Sequence, residues 1–140
     1  MYLLDTNIVS ELRKSKPHGA VLAWYRAQQF EQLFLPAIVF YELQAGIELT
    51  RAQNPVRARE LELWMVGLPA IFNVLAMDHK AARIAGKLMH RQSPHLFEDA
   101  LIASIAIANN DLTVVTRNTR DFSRFPVAVL NPFVSGPKIS

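Results

Sequence analysis

Short apolar segments alternate with helical segments along the whole chain, and this alternation is the feature that most limits the folds open to it. Strands that alternate with helices form a parallel sheet with helices on both faces. The pattern therefore predicts an α/β fold in which the carboxyl ends of the strands share one edge of the sheet. The predicted strands are residues 2–4, 33–35, 71–75 and 112–116, with an edge strand at 127–130.

The segments between the strands carry helix signals. Asn54 followed by Pro55 is typical of a helix start, and Asp78 is expected to cap the helix that follows it. Thr6 or Asn7 is expected to cap the first helix. The helix at 96–110 is apolar on nearly every side, which predicts that it is buried against the sheet. The other predicted helices are residues 8–12, 19–29, 37–51, 55–67 and 80–91.

Length and composition limit the class of protein. A chain of 140 residues, 51% of them hydrophobic, fits one folded domain. It contains no cysteine and four scattered histidines, so any metal is expected to be held by oxygen atoms. The apolar run at residues 100–108 is too short to cross a bilayer, and we expect a cytoplasmic protein. The net charge of +3 permits a polyanionic partner without requiring one.

Acidic side chains are expected to gather at one edge of the sheet. Asp5 directly follows the first strand, Asp121 lies shortly after the fourth, and Asp99 begins the buried helix, with Glu98 beside it. Glu42 belongs to an apolar stripe of the helix at 37–51 together with Ile38, Ala45 and Leu49. Two carboxylates about 5 Å apart repel by roughly 3 kcal/mol at an effective dielectric near 20. The cluster therefore needs protons, basic partners or a metal ion.

Each acid also has an ordinary structural interpretation. Asp5 could cap a helix, Glu42 could pair with a lysine or arginine, and Glu98 or Asp99 could cap the buried helix. Asp121 could lie in the first turn of a short helix capped by Asn118 or Thr119. These alternatives remain open when the residues are considered one at a time.

Four motifs in this chain contain the candidate acids. They are Leu3-Leu4-Asp5-Thr6-Asn7, Glu42 within Tyr-Glu-Leu-Gln-Ala-Gly, Asp99-Ala100-Leu101-Ile102-Ala103, and the run from Val115 to Phe122. Taken together, these motifs resemble those of PIN-domain proteins, and most closely the VapC and FitB type of bacterial toxins. The resemblance covers residues 1–133, and residues 134–140 are expected to form a C-terminal tail.

The resemblance implies a three-layer α/β/α sandwich with a central, mainly parallel sheet, and an endoribonuclease that depends on Mg²⁺ or Mn²⁺. It implies that Asp5, Glu42 and Asp99 hold the metal directly or through water and that Asp121 completes the pocket. The nucleophile would be a metal-activated water. Thr6, Asn7, Thr116 and Asn118 would support the site. Some relatives have the fourth acid at the position of Asn118 and others at that of Asp121.

The resemblance also implies a homodimer that a cognate antitoxin neutralises, with operator DNA bound only through the antitoxin and no membrane partner. Arg13, Lys14, Lys16, Arg117 and Arg120 are candidates for contacts to RNA phosphates. The alternative is a non-catalytic dimeric binding module that acts through an antitoxin-DNA complex. A phosphoacceptor domain built on Asp5 is less favoured, because no lysine closely follows the last strand.

Overall fold

A computed structural model describes residues 1–134 of the chain and shows one five-stranded sheet. The strands are β1 (Tyr2–Leu4), β2 (Leu33–Pro36), β3 (Asn73–Leu75), β4 (Thr113–Val115) and β5 (Val129–Leu130). Their order is β3-β2-β1-β4-β5, and all four neighbouring pairs are parallel. The predicted α/β class is confirmed, and β5 is an edge strand as predicted. The predicted tail, apart from Val134, lies outside the described residues.

Helices cover both faces of the sheet. They are α1 (Thr6–Arg13), α2 (Gly19–Arg26), α3 (Ile38–Gln53), α4 (Pro55–Val66), α5 (His79–Leu88), α6 (Phe97–Ala108) and the short α7 (Thr119–Phe122). Short 3-10 turns occupy Phe30–Gln32, Leu68–Ala70 and Pro94–Leu96. The observed helices match the predicted ones to within a few residues at each end. No helix within residues 1–134 is long and apolar enough to cross a membrane.

The two faces of the sheet bury separate sets of side chains, because successive residues of a strand point to opposite faces. Leu4 and Val115 contribute to a core beneath α1 to α4, whereas Leu3 and Val114 contribute to a core beneath α5 to α7. Within α6, a run of apolar side chains is fully buried, and its alanines let the helix lie close to the sheet. These residues are Ala100, Ile102, Ala103, Ile105 and Ala106. The architecture is the expected three-layer sandwich.

The strand order places a topological switch point between β1 and β4. The chain moves outward from β1 through β2 to β3, and then returns to place β4 on the other side of β1. The helices that follow two such strands diverge to opposite faces, which leaves a crevice outside their carboxyl ends, and this crevice is where open α/β sheets bind ligands. Asp5 and Thr116 are the residues that directly follow β1 and β4.

Candidate active site

Asp5 lies at the centre of the crevice and is only 5% exposed. Its backbone N–H donates to Val115 O at 2.9 Å, so the β1–β4 pairing continues to this residue. Its Oδ2 accepts from Thr116 Oγ1 at 2.7 Å and from Asn7 Nδ2 at 3.2 Å, and its Oδ1 accepts from Thr6 N at 2.7 Å. Burial raises the pKa of the Asp5 carboxyl above its usual value, while these hydrogen bonds act in the opposite direction.

Asp5 is also the residue that caps α1. The expectation that Thr6 or Asn7 caps this helix is therefore wrong, since the helix starts at Thr6 itself. The reason is that β1 runs into α1 without a loop, so the first polar side chain after the strand meets the free N–H groups of the helix. The two interpretations of Asp5, as helix cap and as candidate ligand, are compatible because each carboxylate oxygen has more than one lone pair.

Glu42 reaches the same crevice from α3. Its Oε1 accepts a hydrogen bond from Thr6 Oγ1 at 2.9 Å. Within residues 1–134 it forms no ion pair with lysine or arginine, so the simple structural interpretation of this residue does not hold. Burial, together with the negative charges of Asp5 and Glu98, raises the pKa of Glu42 to about 7.

The predicted apolar stripe around Glu42 does not form a buried face. Leu49 is 76% exposed and Ala45 is also exposed. The core face of α3 is instead made by Val39 and Ile47. The spacing of these residues correctly places them on one side of α3. Leu49, however, lies about two turns beyond Glu42, where no other element of the described chain covers that side of the helix.

Asp99 and Asp121 are joined by the amide of Asn118. Asn118 Nδ2 donates to Asp99 Oδ2 and to Asp121 Oδ2, each at 3.1 Å. Burial is the main cause that raises the pKa of Asp99 to about 7, and the charges of Asp5, Asp121 and Glu98 add to it. Asn118 thus holds two acids in position and Asp121 is the fourth acid of the cluster.

Neither Glu98 nor Asp99 caps α6. The residue at the cap position is Leu96, which has no capping side chain, and both acids lie in the first turn of the helix. Asn118 is likewise at the cap position of α7, but its side chain makes no capping hydrogen bond there. Its amide is directed at the two carboxylates instead. The expectation that Glu98 or Asp99 caps α6 is therefore wrong. Asp121 does lie in the first turn of a short helix with Asn118 at its cap position, as the alternative predicted, but the Asn118 side chain does not cap that helix.

Thr116 connects the two halves of the site. Its hydroxyl is fully buried, donates to Asp5, and accepts from Asn118 N at 2.9 Å and from Asn7 Nδ2 at 3.3 Å. Asn7 Oδ1 in turn accepts from Arg117 N at 3.1 Å. A continuous set of hydrogen bonds therefore runs from Thr6 and Glu42 on one side to Asp99 and Asp121 on the other.

The donor chemistry of the crevice fits a hard divalent cation. Four carboxylates converge on it, and the ion pairs found within residues 1–134 involve other acids, namely Glu11, Glu48, Glu60 and Glu62. Within the described range, no group of three or more Asp, Glu, His or Cys side chains is arranged so that it could hold a metal ion. An open arrangement is compatible with Mg²⁺, which keeps several waters and binds proteins through one or two carboxylates.

The five candidate phosphate-binding cations are not equivalent. Lys14 is paired with Glu11 at 3.0 Å. The guanidinium carbon of Arg117 lies 4.4 Å from the centroid of the Phe133 ring, and that of Arg13 lies 5.7 Å from the Trp64 ring. Sequence reasoning missed both aromatic partners, because each is more than a dozen residues from its arginine and neither follows a recognisable motif.

Comparison with known proteins identifies related sequences. A family model described as PIN domain matches residues 2–128. The plasmid stability protein StbB of Pseudomonas syringae pv. tomato is 38% identical, and the alignment covers 95% of this chain and 99% of StbB. The VapC ribonuclease Y4jK of Sinorhizobium fredii is 36% identical over 95% and 98% of the two chains. Toxin FitB of Neisseria gonorrhoeae is 34% identical over 95% and 99%.

Two solved structures have similar folds over nearly the whole chain. The crystal structure of FitAcB from Neisseria gonorrhoeae superposes with a TM-score of 0.82 at 31% identity and covers 95% of this chain and 99% of the other. The structure of FitAB bound to the IR36 DNA fragment also gives a TM-score of 0.82, at 28% identity, and covers 99% of both chains.

Proposed function

Because the chain belongs to the PIN-domain family, we propose that it is a metal-dependent endoribonuclease and the toxin of a toxin-antitoxin pair. The observation that carries this proposal is the group of carboxylates at the switch point of the sheet. Asp5 caps α1, Glu42 lies on α3 and Asp99 lies in the first turn of α6, and the three share one hydrogen-bond network. The pKa values of all three are raised, and none has a basic partner in the described chain. Carboxylates with raised pKa values and no basic partner destabilise the fold, and such groups are typical of binding and catalytic sites.

Asp5, Glu42, Asp99 and Asp121 would hold Mg²⁺ or Mn²⁺, directly or through water. When bound, the ion supplies charge stabilisation at the phosphoryl oxygen and lowers the pKa of its water, which provides the nucleophile for phosphodiester hydrolysis. Asn118 binds only Oδ2 of Asp99 and of Asp121, so Oδ1 of each has no donor among residues 1–134 and remains available for a ligand.

The neighbouring polar residues fix the orientation of these carboxylates. Thr6 binds Oε1 of Glu42 through its hydroxyl and Oδ1 of Asp5 through its backbone N–H, which sets the spacing between the two acids. Asn7 and Thr116 hold Oδ2 of Asp5 from two directions. We assign these residues, with Asn118, to positioning, since preorganised ligands need no rearrangement when the ion and the substrate bind.

Substrate binding would use cations at the rim of the crevice. Arg117 directly follows Thr116, and its guanidinium lies over the ring of Phe133, which holds its N–H groups near the crevice for phosphate oxygens. Arg120 is exposed and adjacent to Asp121. Arg13 and Lys16 complete the set with Lys14, whose pairing with Glu11 makes it the weakest candidate.

The partners follow from the family and from the surface of α3 and α4. FitAB is a complex that binds a DNA fragment, and we propose that this chain likewise binds a cognate antitoxin and reaches operator DNA only through it. We also propose a homodimer in the cytoplasm. Large apolar side chains on α3 and α4 are more than half exposed, which supports a partner on this surface. They are Tyr41, Leu49, Val56, Leu63 and Val66.

The test is cleavage of a total RNA pool by purified protein free of antitoxin, with Mg²⁺ or Mn²⁺ and then with EDTA. Asp99→Asn is expected to lower cleavage at least about 100-fold, because it removes a ligand charge. Asp111→Asn is a matched control: it makes the same change in charge at an exposed residue whose φ of 53° asparagine tolerates. It is expected to leave cleavage unchanged.

Cleavage that survives EDTA, or that survives Asp99→Asn, would refute the metal-dependent mechanism. A folded protein that binds Mn²⁺ and the antitoxin but cleaves no RNA would support the non-catalytic binding module instead.

A further inference from the structure

A pocket of about 280 Å³ opens directly beside the acidic crevice, between α1, α3 and α4. Thr6 and Glu42 belong both to this pocket and to the carboxylate network, and the hydrogen bond between them forms their shared boundary. Ser10 and Arg13 line the pocket from α1, and Trp64 lines it from α4. A molecule held at the acids could therefore extend one group into the pocket without crossing any other element.

One wall of the pocket consists of an aromatic ring, that of Trp64, and the guanidinium of Arg13. Arg13 lies over the ring of Trp64, with its guanidinium carbon 5.7 Å from the ring centroid. Within residues 1–134 the N–H groups of Arg13 form neither a side-chain hydrogen bond nor an ion pair, so they remain available to a ligand. Unstacked nucleobases bind proteins by stacking on aromatic rings or guanidinium planes.

The other walls offer hydroxyl groups and open space. The hydroxyl of Ser10 has no side-chain hydrogen bond in the described chain, and that of Thr50 donates to Gly46 O at 3.1 Å and keeps its lone pairs free. A Cβ atom placed on Gly46 would have no neighbour within 4 Å, so this side of the pocket is not filled by packing. The pocket thus combines an aromatic ring and a guanidinium with polar groups at its edges, and these are the groups that recognise an unstacked base.

We propose that this pocket binds the base of a nucleotide that flanks the cleaved phosphodiester. The inference rests on the proposed nuclease function and adds a base-binding subsite to it. A base inside a duplex remains stacked on its neighbours and cannot enter.

A peptide segment is the other conceivable occupant, and the pocket fits it less well. A second pocket of about 160 Å³ also borders Arg13 and Trp64 and is lined mainly by apolar side chains such as Val9, Leu12 and Leu22. That pocket offers the apolar surface on which an amphipathic helix would dock. The larger pocket borders the acids and carries the hydroxyl groups, and this favours the substrate.

The experiment monitors the fluorescence of Trp64 during RNA titration. Trp24→Phe leaves Trp64 as the sole tryptophan of the chain, and Asp99→Asn prevents cleavage in Mg²⁺. The probes are a short single-stranded RNA taken from a cleaved site and the same RNA with an abasic nucleotide on either side of the cleaved bond. The intact RNA is expected to quench Trp64 and to bind about 5-fold or more tightly than one of the two abasic RNAs, in line with stacking energies for single bases.

Variants separate stacking from charge. In a filter-binding titration, which does not depend on tryptophan fluorescence, Trp64→Leu and Arg13→Gln are each expected to weaken binding of the intact RNA about 5-fold or more and to reduce its advantage over the abasic RNA. Arg83→Gln makes the same charge change on α5, on the opposite face of the sheet, and is expected to alter affinity less than about 2-fold. Gly46→Leu is a second variant for the case in which Trp64→Leu disturbs folding. Its side chain would fill the pocket, so it should also weaken binding of the intact RNA about 5-fold or more.

The outcomes distinguish this inference from the function on which it rests. If the wild-type protein cleaves RNA but these variants bind the intact RNA as the parent does, the base pocket is refuted and the nuclease stands. If Trp64→Leu or Arg13→Gln instead weakens only the binding of antitoxin, the occupant is a peptide and the inference is refuted. If the wild-type protein neither cleaves nor binds RNA, both proposals fail.

Discussion

Replacing Glu42 by glutamine should stabilise the metal-free protein at alkaline pH. Glu42 lies near the carboxylates of Asp5 and Glu98 and forms no ion pair with a lysine or arginine in the described chain, and its pKa is raised from 4.5 to about 7. Glutamine has nearly the same shape, and its Oε1 can still accept the hydrogen bond that Thr6 Oγ1 donates at 2.9 Å. The substitution therefore removes the unfavourable charge and keeps the contact.

The size and the pH range of the effect follow from proton linkage. Since the folded state holds the Glu42 proton more tightly than the unfolded state does, the free energy of unfolding falls as the pH rises from about 4.5 to about 7 and is constant above that range. A pKa raised from 4.5 to about 7 corresponds to about 3 kcal/mol. Because Glu42 is only partly buried, we expect solvent screening to reduce the gain to about 2 kcal/mol at pH 8 and to less than about 1 kcal/mol at pH 5.

The assay is urea denaturation in EDTA at equal protein concentrations. With an m-value of about 2 kcal/mol per molar urea, Glu42→Gln should raise the midpoint by about 1 M at pH 8 and by much less at pH 5. Glu31→Gln, at an exposed glutamate outside the crevice, is the control and should leave the midpoint unchanged at both pH values. Equal stability of wild type and Glu42→Gln at pH 8 would refute the claim that the crevice holds an uncompensated negative charge.

Two further predictions concern the same network. Thr116→Val should lower the free energy of unfolding by about 2–3 kcal/mol in the same assay, because it removes the hydroxyl that donates to buried Asp5 and accepts from Asn118 N; an unchanged midpoint would mean that water replaces the hydroxyl. A Mn²⁺ concentration of about 100 times the Kd at pH 8 should raise the Tm by about 10 °C at that pH. The same concentration should raise the Tm much less at pH 5.5, because protonated Glu42 and Asp99 are poor ligands. Differential scanning calorimetry measures the second effect, and a shift independent of pH would place Mn²⁺ elsewhere.

The sequence predicted most of the fold, because the signals on which it depends are local. Apolar runs bounded by polar residues identified all five strands, and Asn54 and Asp78 cap their helices as expected. The position of Asp5 and Thr116 in the crevice followed from where β1 and β4 end. The strand order itself was not predicted, since it depends on which apolar faces pack together and not on any single segment.

The contacts that organise the site were harder to predict, because they join residues far apart in the chain. Thr6 and Glu42 are separated by 36 positions, and Thr116 and Asp5 by 111. The motifs indicated that these residues share a site but not which atom binds which. Asn118 is the clearest case. From the sequence, an asparagine at this position could either replace the fourth acid or bridge two acids, and the residue type is the same in both cases. The hydrogen bonds from its amide to both carboxylates identify Asn118 as the bridge.

The double role of Asp5 affects how a loss-of-function allele should be chosen for experiments in cells. Asp5 caps α1 and is held by the end of β4, so its replacement would weaken the fold as well as the chemistry. A strain carrying such an allele could lose toxicity merely because the protein is degraded, and the antitoxin would then lack its partner at the operator. Asp99 has its hydrogen bond to Asn118 but caps no helix, so Asp99→Asn should leave an intact partner. That allele can separate the genetic effects of RNA cleavage from those of transcriptional control.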